Sequence, residues 1–127
     1  MLGVVAVDER RGLSAHFKAR EFACRCCGMV LVHPELVRKL EALRYLLGGT
    51  PVFISSGYRC AGHNKAVGGV EQSYHVFGMA ADIQVAGTAP GRLAAMAEKA
   101  GFDGIGVYRE QGFVHVDVRG YPARWSG

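Results

Sequence analysis

The chain has 127 residues, half of them hydrophobic and a fifth charged, so it is long enough for one buried core and too apolar for disorder. Its net charge of +4 comes from scattered side chains such as Lys18, Arg38, Lys99 and Arg124, and no basic or aromatic recognition module accompanies them, so no nucleic-acid partner is expected. No apolar run reaches the roughly 20 residues of a membrane span, and a monomer of one domain over 1–127 is expected.

The chain opens with a brief apolar patch, Leu2 to Val7, followed by Asp8-Glu9 and Arg10-Arg11. A signal peptide has its basic residues first and a longer apolar core after them, so none is read here. Residues 1 to about 13 are taken as an N-terminal extension. The absence of a leader fits a cytoplasmic protein, a phage-type protein released by lysis, or one whose leader has been removed.

Ser14 suits the cap of a short helical turn that carries Phe17 and Phe22 inward. Next, Cys24-Arg25-Cys26-Cys27-Gly28 places three thiols within four residues, with Cys60 far downstream. Three readings stay open: loosely packed free thiols, a disulfide to Cys60 in an oxidising compartment, or a second metal completed by His33 or Cys60. The spacing supplies one knuckle, Cys24-x-x-Cys27, and no second one.

Pro34 to Gly48 reads as a helix. Proline is tolerated in its first turn, Glu35 suits the N-terminal dipole, and Gly48-Gly49 stops it. Leu36, Val37, Leu40, Leu43, Leu46 and Leu47 recur at three-and-four spacing, the pattern of a buried stripe. His33, just before it, reads as a surface or capping residue. Val52 to Ser55 is a short buried strand that ends in Ser56-Gly57-Tyr58-Arg59, and His63 and Asn64 follow in a turn-rich segment in which His63 reads as structural.

Ala80 to Val85 is expected to be a strand, Ala89 to Ala100 a helix stopped by Gly101, and Asp103 to Tyr108 and Phe113 to Val118 a hairpin joined by residues 109–112. The tail Tyr121 to Trp125 is expected to pack Trp125 on the sheet.

The chemistry concentrates in Ser73-Tyr74-His75-Val76-Phe77-Gly78-Met79-Ala80-Ala81-Asp82 and in Phe113-Val114-His115-Val116-Asp117. Together they hold two imidazoles and a carboxylate, the usual protein ligands of a catalytic zinc whose fourth position is left to water. His75 and Asp82 lie seven positions apart, too far for adjacent turns of one helix. The spacing suits a loop that delivers His75, a close turn at Gly78, and a strand that carries Asp82. His115 sits in an alternating, β-branched segment, so neighbouring strands would let three ligands meet at one ion.

These residues carry a resemblance. Ser73-x-His75-x-x-Gly78-x-Ala80-x-Asp82, with Ser56-Gly57-Tyr58-Arg59 upstream and Val114-His115-Val116-Asp117 downstream, is similar to the zinc D-Ala-D-Ala peptidase family. It is most similar to the small branch found in bacterial wall enzymes and phage lysins. The likeness runs from about Phe17 to Trp125. It implies an α+β fold, a small antiparallel sheet flanked by helices, of the hedgehog and D-Ala-D-Ala-peptidase type. It also implies one Zn2+ held by His75, Asp82 and His115 in an open cleft. The implied activity is hydrolysis of D-amino-acid-containing bonds in peptidoglycan stem peptides, as a carboxypeptidase or a cross-link endopeptidase, at the cell wall.

The resemblance assigns Arg59 to the substrate, and a guanidinium suits a planar carboxylate. Ser73 would bond substrate or cap the loop. Many family members place the general base as a Glu or Asp three positions before the second histidine, and here that position is Gly112. Side chains at i and i+2 share one face of a strand, so Asp117 points the same way as His115. Two roles stay open for Asp117: the catalytic base, acting through water, or a carboxylate that holds the imidazole in its tautomer. Glu110 on the hairpin loop is a third candidate for the base. The rival to a hydrolase is a zinc-stabilised wall-binding or structural domain that has lost turnover, motivated by Gly112.

Overall fold

The computed structural model describes residues 5–6, 12–68 and 73–127, so the reading of Met1 to Arg11 as leaderless lies outside the described residues apart from the backbone of Val5–Ala6. The elements in chain order are β1 (Val5–Ala6), a 3-10 turn (Ala19–Phe22), β2 (Leu31–Val32), α1 (Pro34–Leu46), β3 (Phe53–Ser56), α2 (Ala61–Ala66), β4 (Ala80–Gln84), α3 (Pro90–Ala100), β5 (Gly104–Tyr108), β6 (Phe113–Asp117) and β7 (Ala123–Ser126). β1 and β2 pair by themselves, and the other strands form one sheet in the order β3-β4-β6-β5-β7.

α1 begins where its cap chemistry places it. His33 Nδ1 accepts the backbone N–H of Glu35 at 3.0 Å, which makes His33 the N-cap and satisfies a donor the helix cannot. Leu36, Val37, Leu40 and Leu43 are buried, whereas Leu46 is exposed because the stripe turns outward in the last turn. α3 starts at Pro90, buries Leu93 and Ala97, and ends on the left-handed Gly101. α1 and α3 pack together, and α3 lies on β5 and β6.

Strand alternation then sorts the sheet into two faces. Ala81, Ile83, Ile105, Val114 and Val116 join Leu93 and Ala97 in the core. Asp82, His115 and Asp117 alternate with them and take the opposite face. Antiparallel pairing of β4 with β6 sets Asp82 directly across from His115 and Ala80 across from Asp117. A one-residue slip of β6 would turn His115 and Asp117 into the core, so burial of the alternate positions fixes the register of the site.

Three local expectations change. The sheet is antiparallel through β3, β4, β6 and β5, but the tail adds β7 parallel to β5, pairing Gly106 with Trp125. A parallel edge pairing of this kind leaves no local pattern in a segment containing Pro122. The turn-rich segment after Arg59 closes as the short helix α2, with Cys60 at its N-cap. Ser14 is not a helix cap: its hydroxyl donates to Glu41 Oε2 at 2.5 Å, and the 3-10 turn is closed by the backbone N–H of Lys18 donating to Glu21. Phe17 and Phe22 do point inward.

Candidate metal centre

His75 rides on a tight turn between α2 and β4. Backbone bonds from Val76 to Ser73, Phe77 to Tyr74 and Gly78 to His75 close it, and Ser73 Oγ accepts the N–H of His75 at 3.2 Å. Ser73 is thus buried as the cap of its loop. Gly78 adopts φ +70, and a Cβ there would lie 2.5 Å from the carbonyl oxygen of Leu31, so both conformation and space require glycine.

The ring nitrogens of this centre have defined jobs. His75 Nδ1 lies 2.8 Å from the carbonyl oxygen of Gly57, an acceptor only, so Nδ1 carries the proton and Nε2 the lone pair. His115 Nε2 lies 2.7 Å from Asp117 Oδ2, which places its proton on Nε2 and its lone pair on Nδ1. Those two lone pairs face one oxygen: Asp82 Oδ1 is 3.2 Å from His75 Nε2 and 3.3 Å from His115 Nδ1. In the metal-free protein a proton bridges such contacts, and a bound cation would take its place among the three ligand atoms turned toward one point. The spacing also fits, because four ligands at about 2.0–2.1 Å in a tetrahedron stand about 3.3–3.4 Å apart. The donor set and its spacing suit zinc.

Further contacts hold each ligand in place. Arg59 Nη2 donates to Asp82 Oδ2 at 3.0 Å, leaving Oδ1 for the centre. Its Nε donates to Ser56 Oγ and its Nη1 to Asn64 Oδ1. The carboxylate that Arg59 grips is therefore Asp82, although Arg59 also lines the cleft and meets solvent there. Asp117 has no exposed surface and accepts from the backbone N–H groups of Gly104 and Arg119, from His115, and from the Arg119 guanidinium. These donors hold the Asp117 carboxylate against His115 Nε2. The centre forms the floor of an open cleft of about 430 Å³, walled by Tyr74, Tyr108, Phe113, Arg119 and Trp125. Trp125 Nε1 donates to Tyr108 Oη at 2.8 Å, and the Arg119 guanidinium stands over Tyr74, 4.5 Å from the ring centroid.

Residues 15–117, most of the chain, match the peptidase M15 family. The chain belongs to that family. Over 84 residues it is 33% identical to the zinc D-Ala-D-Ala carboxypeptidase of Streptomyces albus G, covering 66% of this chain and 29% of that protein. Over 101 residues it is 38% identical to the peptidoglycan L,D-endopeptidase MepK of Escherichia coli, covering 73% and 53%. The M15 chain thus spans about half or less of the length of these curated relatives. The crystal structure of the L-Ala D-Glu endopeptidase ChiX of Serratia marcescens aligns with a TM-score of 0.48 at 25% identity, covering 72% of this chain and 85% of that one.

In this M15 chain, several cleft residues are absent from the motif reading. Arg119 is the most legible in retrospect, since Asp117-x-Arg119 places an acid and a guanidinium on one side of an extended segment. Tyr108 carries no such signal, because it reaches the cleft from β5, an element fixed by packing elsewhere. Glu110 is exposed at the hairpin and does not line the cleft, and Gly112 adopts φ +78 in that loop, a conformation that disfavours an acid side chain there.

Charge follows the same geometry. Burial pushes the Asp82 carboxyl up, but the His115 and His75 rings outweigh it and hold the acid far below the usual carboxylate range. Burial pushes the His115 ring down, and its bonds to Asp117 and Asp82 more than reverse that, raising it above 6.5. A raised imidazole contributes stability that is present below its unfolded value and is lost as pH rises through the folded one. The metal-free protein should therefore lose stability as pH climbs from about 6.5. Zinc needs the Nδ1 lone pair, so zinc uptake at a pH where the His115 ring is protonated should release a proton from it. Calorimetry in buffers of different ionisation enthalpy reads that proton directly, and uptake with no proton exchange would contradict the assignment.

Proposed function

We propose that this M15 chain is a zinc peptidase that hydrolyses D-amino-acid-containing peptide bonds of peptidoglycan, as a D,D-carboxypeptidase or a cross-link endopeptidase, and that it acts at the cell wall. The observation that carries the reading is the convergence of the His75, Asp82 and His115 lone pairs on one point at the floor of an open cleft. The named activities of the relatives, a D-Ala-D-Ala carboxypeptidase and a peptidoglycan endopeptidase, support the same substrate class.

A zinc ion held by these three residues supplies Lewis acidity, acidifying water and polarising a peptide carbonyl. The chain's own residues prepare that chemistry. Gly57 and Asp117 each hold a proton on the outer nitrogen of an imidazole, so the inner nitrogens stay free to ligate. Arg59 holds Asp82 by Oδ2 alone and keeps Oδ1 in place. The charged side chains that line the cleft around the centre, among the described residues, are Arg59 and Arg119, a lining suited to the carboxylates of stem peptides. Ser73 fixes the loop on which His75 rides.

Asp82 is the sole carboxylate among the described cleft-lining residues, and Asp117 lies fully beneath them. That favours a second reading, a zinc-stabilised wall-binding domain without turnover. Digestion of purified muropeptides and intact sacculi, with zinc and with a chelator, separates the two. Chelator-sensitive loss of terminal D-Ala or opening of cross-links is the expected result. Binding to sacculi with no cleavage in any zinc-replete digest would replace the hydrolase with the binding domain.

A further inference from the structure

We propose a second metal site, a thiolate-bound zinc held by Cys24, Cys27 and Cys60, with the Cys26 thiol as the fourth ligand. The inference is independent of the hydrolase reading. The sulfurs of Cys24, Cys27 and Cys60 all lie within 4.8 Å of one another, and all four cysteines are free thiols. Four sulfurs about 2.3 Å from one tetrahedral zinc stand about 3.8 Å apart, so the cluster needs only a small contraction. Cys26 is exposed and is the chain neighbour of Cys27, free to turn toward the ion.

The backbone around these sulfurs is built for thiolates. Cys60 N–H donates to Cys24 Sγ at 3.4 Å. His63 N–H donates to Cys60 Sγ at 3.4 Å. A neutral thiol is a weak acceptor, whereas a thiolate gathers such donors. Several thiolates this close repel unless a cation lies between them, and a set of soft sulfur donors in tetrahedral reach selects zinc. The turn itself is a closed knuckle: Gly28 N–H donates to the Cys24 carbonyl and Cys24 N–H to that of Met29, both at 2.8 Å.

Both centres meet in one loop. Cys60 follows Arg59 directly, Tyr58 N–H donates to the Phe22 carbonyl at 2.8 Å, and Gly57 holds His75. A metal joining Cys24 and Cys27 to Cys60 would clamp the segment before β2 to the loop that carries Gly57 and Arg59. It is thus a structural ion that braces the first centre from behind.

The test uses the whole chain, wild type and His75→Ala, prepared with reductant and without chelator. A mercurial titrated into each protein beside a metallochromic dye should release zinc in step with the thiols, one equivalent from His75→Ala. The cobalt-loaded protein should show thiolate-to-cobalt charge-transfer absorption that Cys24→Ser abolishes, and Cys26→Ser should weaken metal retention at least tenfold without abolishing it. Release of no zinc on thiol titration, iron in its place, or an intact mass two hydrogens light from a disulfide would each overturn the site. Unchanged retention in Cys26→Ser would overturn the four-thiolate assignment. Because the titration reads wild-type protein, the outcome stands even where a cysteine variant fails to fold.

Discussion

Asp117→Ala is expected to unfold the protein more readily than any other single change at the site. Asp117 is fully buried and accepts from five donors, the backbone N–H groups of Gly104 and Arg119, His115 Nε2, and Arg119 Nε and Nη2. Its carboxyl feels burial pushing it up, but His115 and Arg119 hold it far below the ordinary range, so it is ionised at all working pH values. Alanine leaves a largely buried guanidinium and an orphaned Gly104 N–H, and breaking such a pair costs about 3–5 kcal/mol. Denaturant titration of the metal-free proteins measures that difference without involving the site's metal.

Asp117→Asn separates structure from ligation. The amide oxygen can still accept from Gly104 and Arg119, so the stability loss should be smaller than for alanine. The amide N–H2, however, would face the N–H of His115, donor against donor. The ring escapes by moving its proton to Nδ1, the atom aimed at Asp82 Oδ1 3.3 Å away, and the lone pair that ligates is lost. Losing a partner of this kind typically lowers metal affinity about 10–100-fold. Zinc competition against a chelating dye gives the number, and an asparagine variant that binds as tightly as wild type would remove Asp117 from its positioning role.

The second large effect is at His75. In His75→Ala the metal content should fall by one equivalent and muropeptide hydrolysis should fall with it. Apparent affinities of about 10–16 kcal/mol for zinc sites of four ligands amount to about 3 kcal/mol per ligand, a loss of roughly 10²-fold or more. The metal-free folded protein should lose about 1–3 kcal/mol, since the variant removes the bonds of His75 to the Gly57 carbonyl and to Asp82 Oδ1 and leaves that carbonyl without its donor. Wild type should gain thermal stability with added zinc, by mass action on the native state, and the variant should gain less. Undiminished metal and undiminished hydrolysis in the variant would take His75 out of the centre.

Much of this molecule is written in its periodicity. α1 is legible from leucines at three-and-four spacing between Pro34 and Gly48, and β4, β5 and β6 from alternation, because one buried face imposes a local repeat on the sequence. Alternation even places Asp82, His115 and Asp117 on the face away from the core. The motif resemblance adds which polar residues share a purpose.

What the tertiary structure decided is how those residues spend their hydrogen bonds. Nothing near Arg59 in the chain reveals that its carboxylate partner is Asp82, and nothing near His115 reveals which ring nitrogen faces the centre. Those choices come from Gly57, Gly104, Arg119 and the register of β4 against β6, all remote in sequence. The same holds for β7, whose parallel pairing depends on where β5 already lies, and for the cysteines, whose spacing gives no sign that the chain returns Cys60 to Cys24. Side-chain periodicity records burial residue by residue, whereas a proton's position and a ligand's partner depend on which distant segments packing brings together.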